Sequence, residues 1–193
     1  MDLWYSEFHA PDAKFSIKVK EHIVTEQTKF QRIDFFKSDT FGTFFTIDGL
    51  MMVTEKDEFA YHEMICHPAF ATNPGIKNVL IIGGGDGGTA REVSRYPTVL
   101  KIDMVEIDER VVRLCQQYLP QTASVLDKDQ RINLFFEDGV EFVKNANDNS
   151  YDLILVDSTD PFGPGEGLFT NEFYNDCYRI LTDNGILINQ HES

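Results

Sequence analysis

The chain has 193 residues, enough for one well-cored domain with a small appendage, and its 42% hydrophobic and 25% charged content is that of an ordinary soluble globular protein. A formal net charge of -15, from 17 basic and 32 acidic residues, repels nucleic acid and anionic membranes and would attract a small cation, although solubility alone accounts for it until specific carboxylates are placed in a site. No apolar run approaches the roughly 20 residues that cross a bilayer, and "MDLWYSEFHAPD" does not open as a signal peptide, so a cytoplasmic location is expected.

The first ~55 residues read as β structure. "KFSIKVKEHIVTE" alternates at Phe15, Ile17 and Val19, and "FQRIDFF" and "GTFFTIDG" follow, bounded by Ser38-Asp39 and Asp48-Gly49. One short antiparallel sheet is the economical assignment. A helix is expected from Thr54, where Thr54-x-x-Asp57 resembles a capping arrangement, with Pro68 ending or kinking it. From Ile76 the texture becomes strand then helix, repeatedly. "NVLIIGGG", "KIDMVEID", "RINLFFEDG", "YDLILVDSTDP" and "GILINQ" are the five strands. "TAREVSRY", "ERVVRLCQQYL", "VEFVKNA" and "NEFYNDCYRIL" are the helices between them. This alternation implies right-handed crossovers and a mainly parallel sheet with helices on both faces. The fifth strand has no helix after it, so we expect either a truncated chain or an edge covered by another chain.

In such sheets ligands bind at the carboxyl ends of the strands. The first strand runs into Gly83, Gly85 and Gly88, a G-x-G-x-x-G spacing with Asp86 at its centre. Glu106, with Asp108 close behind, ends the second strand at the spacing from which an acid takes ribose hydroxyls. Asp138 and Gly139 follow the third strand; the aspartate is either an adenine acceptor or a helix N-cap. Asp157 and Asp160 follow the fourth and open a loop, "STDPFGPGEG", that suits an active-site lid. A carboxylate at Asp86 opposes a pyrophosphate or a methionyl carboxylate by about 1–4 kcal/mol. It favours a nucleoside whose tail is only positive.

Two further patterns carry less. "HEMICH" places His62 and His67 about 140° apart on a helix, so they do not share a metal, and no metal site is expected. Cys66, Cys115 and Cys177 are odd in number and far apart, as reduced buried thiols are.

"DGLMMVTEKDEFAYHEM", "VLIIGGGDGGTAREV", "VEIDERVV", "EDGVEFV" and "YDLILVDSTDPFGPGEGLF" closely resemble the spermidine synthases, the putrescine aminopropyltransferases. The resemblance runs from "LWYSE" to "GILINQ". It implies a β-strand domain at 1–55 before a Rossmann-like, class I methyltransferase-type doubly wound domain at 56–193, without the family's C-terminal strands. It implies transfer of the aminopropyl group of decarboxylated S-adenosylmethionine to putrescine, with no prosthetic group, in a homodimer or homotetramer. Trp4, Phe44 and Phe45, read as exposed, would supply contacts between copies. The donor would be held by Gln31, Gly84, Asp86, Glu106, Ile107, Asp138, Gly139 and Pro164. Tyr61, His62, Asp86, Ser158 and Asp160 would line the polyamine side, with Asp157 as proton acceptor. Met52 stands where many members carry a glutamine. A methyltransferase and an inactive truncated binding domain are the competing readings.

Overall fold

The computed structural model describes residues 2–159 and 163–190, and the chain divides into two compact units, Met1–Phe59 and Ala60–Ser193. In the first unit β1 (Leu3–Ala10) pairs antiparallel with β2 (Ala13–Val19). A separate antiparallel sheet contains β3 (Glu21–Gln27), β4 (Arg32–Ser38), β5 (Gly42–Ile47) and β6 (Leu50–Thr54), in that order.

The expected single sheet is therefore two, and "KFSIKVKEHIVTE" is broken at Lys20. The chain changes sheets there because β2 returns along β1 while β3 pairs with β4. Asp48 (φ 51°) and Gly49 (φ 87°) both lie in the left-handed region. That is the backbone of a two-residue hairpin turn, and it joins β5 to β6.

Phe44 and Phe45 are not surface aromatics: they are 0% and 2% exposed, against 54% for Trp4. Their strand is flanked on both sides, by β4 and β6. Phe44 packs with Tyr5, Ile17 and Val19, while Phe45, on the opposite face, stacks on Phe35 at 5.0 Å.

Helix α1 (Glu58–Thr72) starts four residues later than expected, because Thr54 is still the last residue of β6. Thr54 and Asp57 do bond, at 2.6 Å, but outside the helix. Pro68 does not end it. The proline is exposed, and its carbonyl still accepts the Thr72 hydroxyl at 2.8 Å.

The second unit holds one parallel sheet of β7 (Asn78–Gly83), β8 (Lys101–Val105), β9 (Ile132–Phe135), β10 (Tyr151–Asp157) and β11 (Leu181–Asn189). Its order is β11-β10-β7-β8-β9, with all four pairings parallel. The crossovers carry α2 (Gly88–Ser94), α3 (Glu109–Tyr118), two single-turn helices α4 (Pro120–Ala123) and α5 (Val125–Lys128), then α6 (Gly139–Asn145) and α7 (Asn171–Ile180). A 3-10 helix, Gly163–Phe169, precedes α7.

Leu80, Ile82, Ile154 and Val156 face a core completed by Val143, Phe173, Cys177 and Ile180. Val79, Ile81, Leu153 and Leu155, of the opposite parity, are equally buried. Both faces are covered, which is why these strands read as unbroken apolar runs rather than alternations. Among the described residues no helix is long and apolar enough to cross a membrane.

Candidate active site

Strand order reverses at β7: β8 and β9 lie on one side of it, β10 and β11 on the other. Asp157, the last residue of β10, is paired in register with Gly83, the last of β7. Gly83 and Gly84 both adopt positive φ, 81° and 70°, and the Gly84 N–H donates to the Asp157 carbonyl at 2.7 Å. A Cβ on Gly83 would strike that carbonyl. The first glycines therefore serve the close approach of two strand ends.

The Asp157 carboxylate is held on both oxygens. Tyr61, on α1, donates its hydroxyl to Oδ1 at 2.6 Å, and Thr89, on α2, donates to Oδ2 at 2.5 Å. Asp86 accepts the Gly88 N–H at 2.7 Å, and the same Oδ1 lies 3.2 Å from Nε2 of the fully buried His62. A side chain at Gly88 would occupy the space of the His62 ring. One atom each from His62, Asp86 and Asp157 falls within 4.8 Å of the others. Each carboxylate oxygen has two lone-pair sites, so Asp157 can still receive a cation beside the two hydroxyls.

Burial and the neighbouring Asp86 push the Asp157 carboxyl up from the ordinary aspartate value, while His62, Thr89 and Tyr61 pull it back. Burial and Asp157 push the Tyr61 phenol up, so it stays a donor. Glu106, buried at the end of β8, is pushed up to about 7, chiefly by desolvation, with Asp108, Asp157 and Asp86 adding to it. Its Oε1 accepts the Asp108 N–H at 3.0 Å. A Cβ on Gly85 would sit 2.9 Å from Glu106 Oε2, so only glycine leaves that oxygen open.

Among the residues read from sequence, Tyr61, His62, Gly84, Asp86, Glu106 and Asp157 are thus joined by direct bonds or mutual charge effects. Ile107, half-buried, follows Glu106. Asp108 is the N-cap of α3, accepting Arg110 N–H at 3.1 Å. Asp138 caps α6 by accepting Val140 N–H at 2.8 Å, and Gly139 beside it is buried against Ile82. Ser158 donates to the Thr159 carbonyl at 3.0 Å. Gln31 belongs to the first unit, where its backbone closes a turn with Thr28 before β4. Asp160 lies outside the described residues, and Pro164 is placed only as part of the 3-10 helix.

The two histidines of "HEMICH" join different groups. His67 Nε2 lies 3.3 Å from Glu92, its Nδ1 meets the Tyr96 hydroxyl at 2.7 Å, and Glu92 is bonded to Arg91 and Arg95. All three cysteines are free and buried. Thr89 went unread in the sequence; its one signal is a hydroxyl directly after the glycine block.

Similar family models, sequences and structures are found among known proteins. The family described as the spermine/spermidine synthase domain matches residues 58–193, and the spermidine synthase tetramerisation domain matches residues 3–55. A polyamine aminopropyltransferase of Clostridium acetobutylicum is 72% identical over 193 residues, covering 100% of this chain and 68% of the relative. One from Clostridium botulinum is 65% identical over 193 residues, covering 100% and 67%. A spermidine synthase solved in complex with the transition state analogue AdoDATO superposes with a TM-score of 0.93 at 42% identity, covering 97% of this chain and 64% of that one. The spermidine synthase from Thermotoga maritima gives 0.89 at 39%, covering 97% and 62%. The chain spans about two thirds of the length of these relatives.

Proposed function

The chain belongs to the spermine/spermidine synthase family, and from that premise we propose that it transfers the aminopropyl group of decarboxylated S-adenosylmethionine to putrescine. The observation that carries this reading is the meeting of the buried Asp86 and His62 with the half-buried Asp157 at the switch point, with Glu106 close enough to feel both aspartates. Three carboxylates concentrated in low dielectric are costly until a cation arrives. A donor whose tail ends in an ammonium, and a diamine acceptor, are ligands that relieve that cost.

In this reading Glu106 takes the ribose hydroxyls, Asp138 and Gly139 the adenine, and Asp86 the ammonium of the donor tail. Gln31, Gly84, Ile107 and Pro164 complete the donor side. Among the described residues, the Gly88 N–H and His62 Nε2 approach Asp86 at Oδ1, and in this reading Oδ2 meets the ammonium. Asp160 and Ser158 serve the far amine of putrescine, and Tyr61 and His62 line its path. The near amine loses a proton to Asp157. Its lone pair then forms the new C–N bond at the carbon beside sulfur, and the C–S bond breaks with its electron pair going to sulfur. The leaving group is a neutral thioether, methylthioadenosine, so the protein has no developing anion to stabilise. What it supplies is an in-line approach and a base. The raised affinity of Asp157 for protons suits that role, and its two hydrogen-bond donors keep it anionic enough to begin. The tetramerisation-domain match at residues 3–55 supports assembly of the chain with its own copies, as a tetramer.

Formation of methylthioadenosine from decarboxylated donor and putrescine tests the activity. Calorimetry with intact and decarboxylated S-adenosylmethionine tests the charge argument. The decarboxylated form should bind at least tenfold tighter; tighter binding of the intact form would favour a methyltransferase and overturn the proposal.

A further inference from the structure

Asp157 is fixed from several directions, and the group that fixes Oδ2 belongs to none of the site assignments above. Thr89 is the second residue of α2, is 0% exposed, and donates its hydroxyl to Asp157 Oδ2 at 2.5 Å, across 68 positions of sequence. As the second residue of α2 it has no carbonyl from an earlier turn of its own helix to bond back to. Here the β-branched side chain, stiff about its first torsion, is aimed across the switch point instead. Its backbone is anchored as well, since its carbonyl accepts the Cys66 thiol at 3.5 Å. Burial and Asp157 push that thiol's proton affinity up, so Cys66 stays a donor.

We propose that Thr89 is a positioning residue for Asp157: its hydroxyl holds the carboxylate's orientation toward the acceptor amine and sets the pH at which it is free to take a proton. The inference rests on Asp157 as proton acceptor. The other groups facing Asp157 are Asp86 on the glycine loop, Tyr61, His62 and Cys66 on α1, and Glu106 at the end of β8. Of these, Tyr61 also donates a hydrogen bond to its carboxylate, and it uses the other oxygen. Removing the Thr89 hydroxyl leaves Oδ2 without that donor and disfavours the anion.

The primary test is a carboxyl carbon NMR titration of the ligand-free chain, with the Asp157 resonance identified by its loss in Asp157→Asn. In Thr89→Val, which keeps the shape, the midpoint should rise by about one pH unit; in Thr89→Ser, which keeps the hydroxyl, it should stay. Turnover with putrescine is the second readout. Thr89→Val should lower kcat about tenfold and move the acid limb of the pH profile upward, leaving the KM for donor within about twofold. Thr89→Ser should restore both. Coincident titrations of Thr89→Val and the parent overturn the inference, as does a Thr89→Ser variant that behaves like Thr89→Val. Full turnover in Asp157→Asn is a different failure: it removes the proton acceptor itself, whatever the titration reports on Thr89.

Discussion

Two aspartates of one sheet, Asp103 buried and Asp157 half-buried, are neutralised differently. Asp103, inside β8, and Asp157, at the end of β10, each accept a tyrosine hydroxyl at 2.6 Å. Asp103 also has Lys101 Nζ at 2.6 Å and the Asn133 amide at 2.9 Å. Its charge is answered by the strand it sits on and by the next one. Asp157 has hydroxyls, a histidine and two more carboxylates, so its surroundings oppose its own charge. A buried acid answered by lysine serves the fold, whereas one set among other acids leaves room for a ligand that brings positive charge.

The sharpest way to break this contrast is the same substitution at both positions. Asp157→Asn should lower turnover by about 10²–10⁴-fold, the range of a lost general base, with a much smaller change in donor affinity. Asp103→Asn should leave turnover within about twofold and cost about 1–3 kcal/mol of stability, since it strips charge from three hydrogen-bonded contacts. Steady-state kinetics and urea unfolding of the two variants decide it. Retained turnover with lost donor affinity in Asp157→Asn would make that residue a binding group.

Glu106 extends the comparison into stability. Its folded-state value, about 7, lies above the ordinary glutamate value of 4.5. Between those limits the folded chain holds more protons than the unfolded one, so the stability contribution present below about 4.5 is lost as pH rises through about 7. The loss above pH 7 is at most about 3 kcal/mol. Glu106→Gln keeps an acceptor for the Asp108 N–H and cannot ionise. It should therefore match the parent near pH 4.5 and be more stable at pH 8. A difference that is constant across that range would mean the burial of Glu106 carries no such penalty.

How much of this was legible in sequence follows from the physics of each element. The central parallel strands β7, β8 and β10 declare themselves because both faces are buried, and the strand ends then point to Asp86, Glu106, Asp138 and Asp157. The N-terminal unit hides more. The alternation of Phe15, Ile17 and Val19 lapses at Glu21, but a period of two records only which face is buried and not which strand lies alongside, so the change of partner stays hidden. Phe44 and Phe45 are adjacent and both enclosed, a pattern that local sequence cannot separate from exposure. Pro68 does not end α1 because a proline on a solvated face can sit in a helix that its neighbours hold. Thr89 acquires its place only when β7 and β10 lie side by side, a fact that no spacing in the sequence contains.

The finest division is between two capping aspartates. Asp108 is buried at the start of α3, and Asp138 is exposed at the start of α6. Both accept a backbone N–H from two residues ahead, so capping alone explains either one. If Asp138 also receives adenine, its carboxylate must reach beyond the helix end, which a shorter hydroxyl cannot do. Serine caps a helix about as well as aspartate does. Asp138→Ser should therefore change stability by no more than about 0.5 kcal/mol while weakening decarboxylated donor about tenfold, as loss of one charge-assisted hydrogen bond would. Thermal unfolding and calorimetry measured on the same variant separate the two roles. An unchanged donor affinity would leave Asp138 a cap and nothing more, and the adenine would have to be sought against the Gly139 backbone, where burial against Ile82 already admits no side chain.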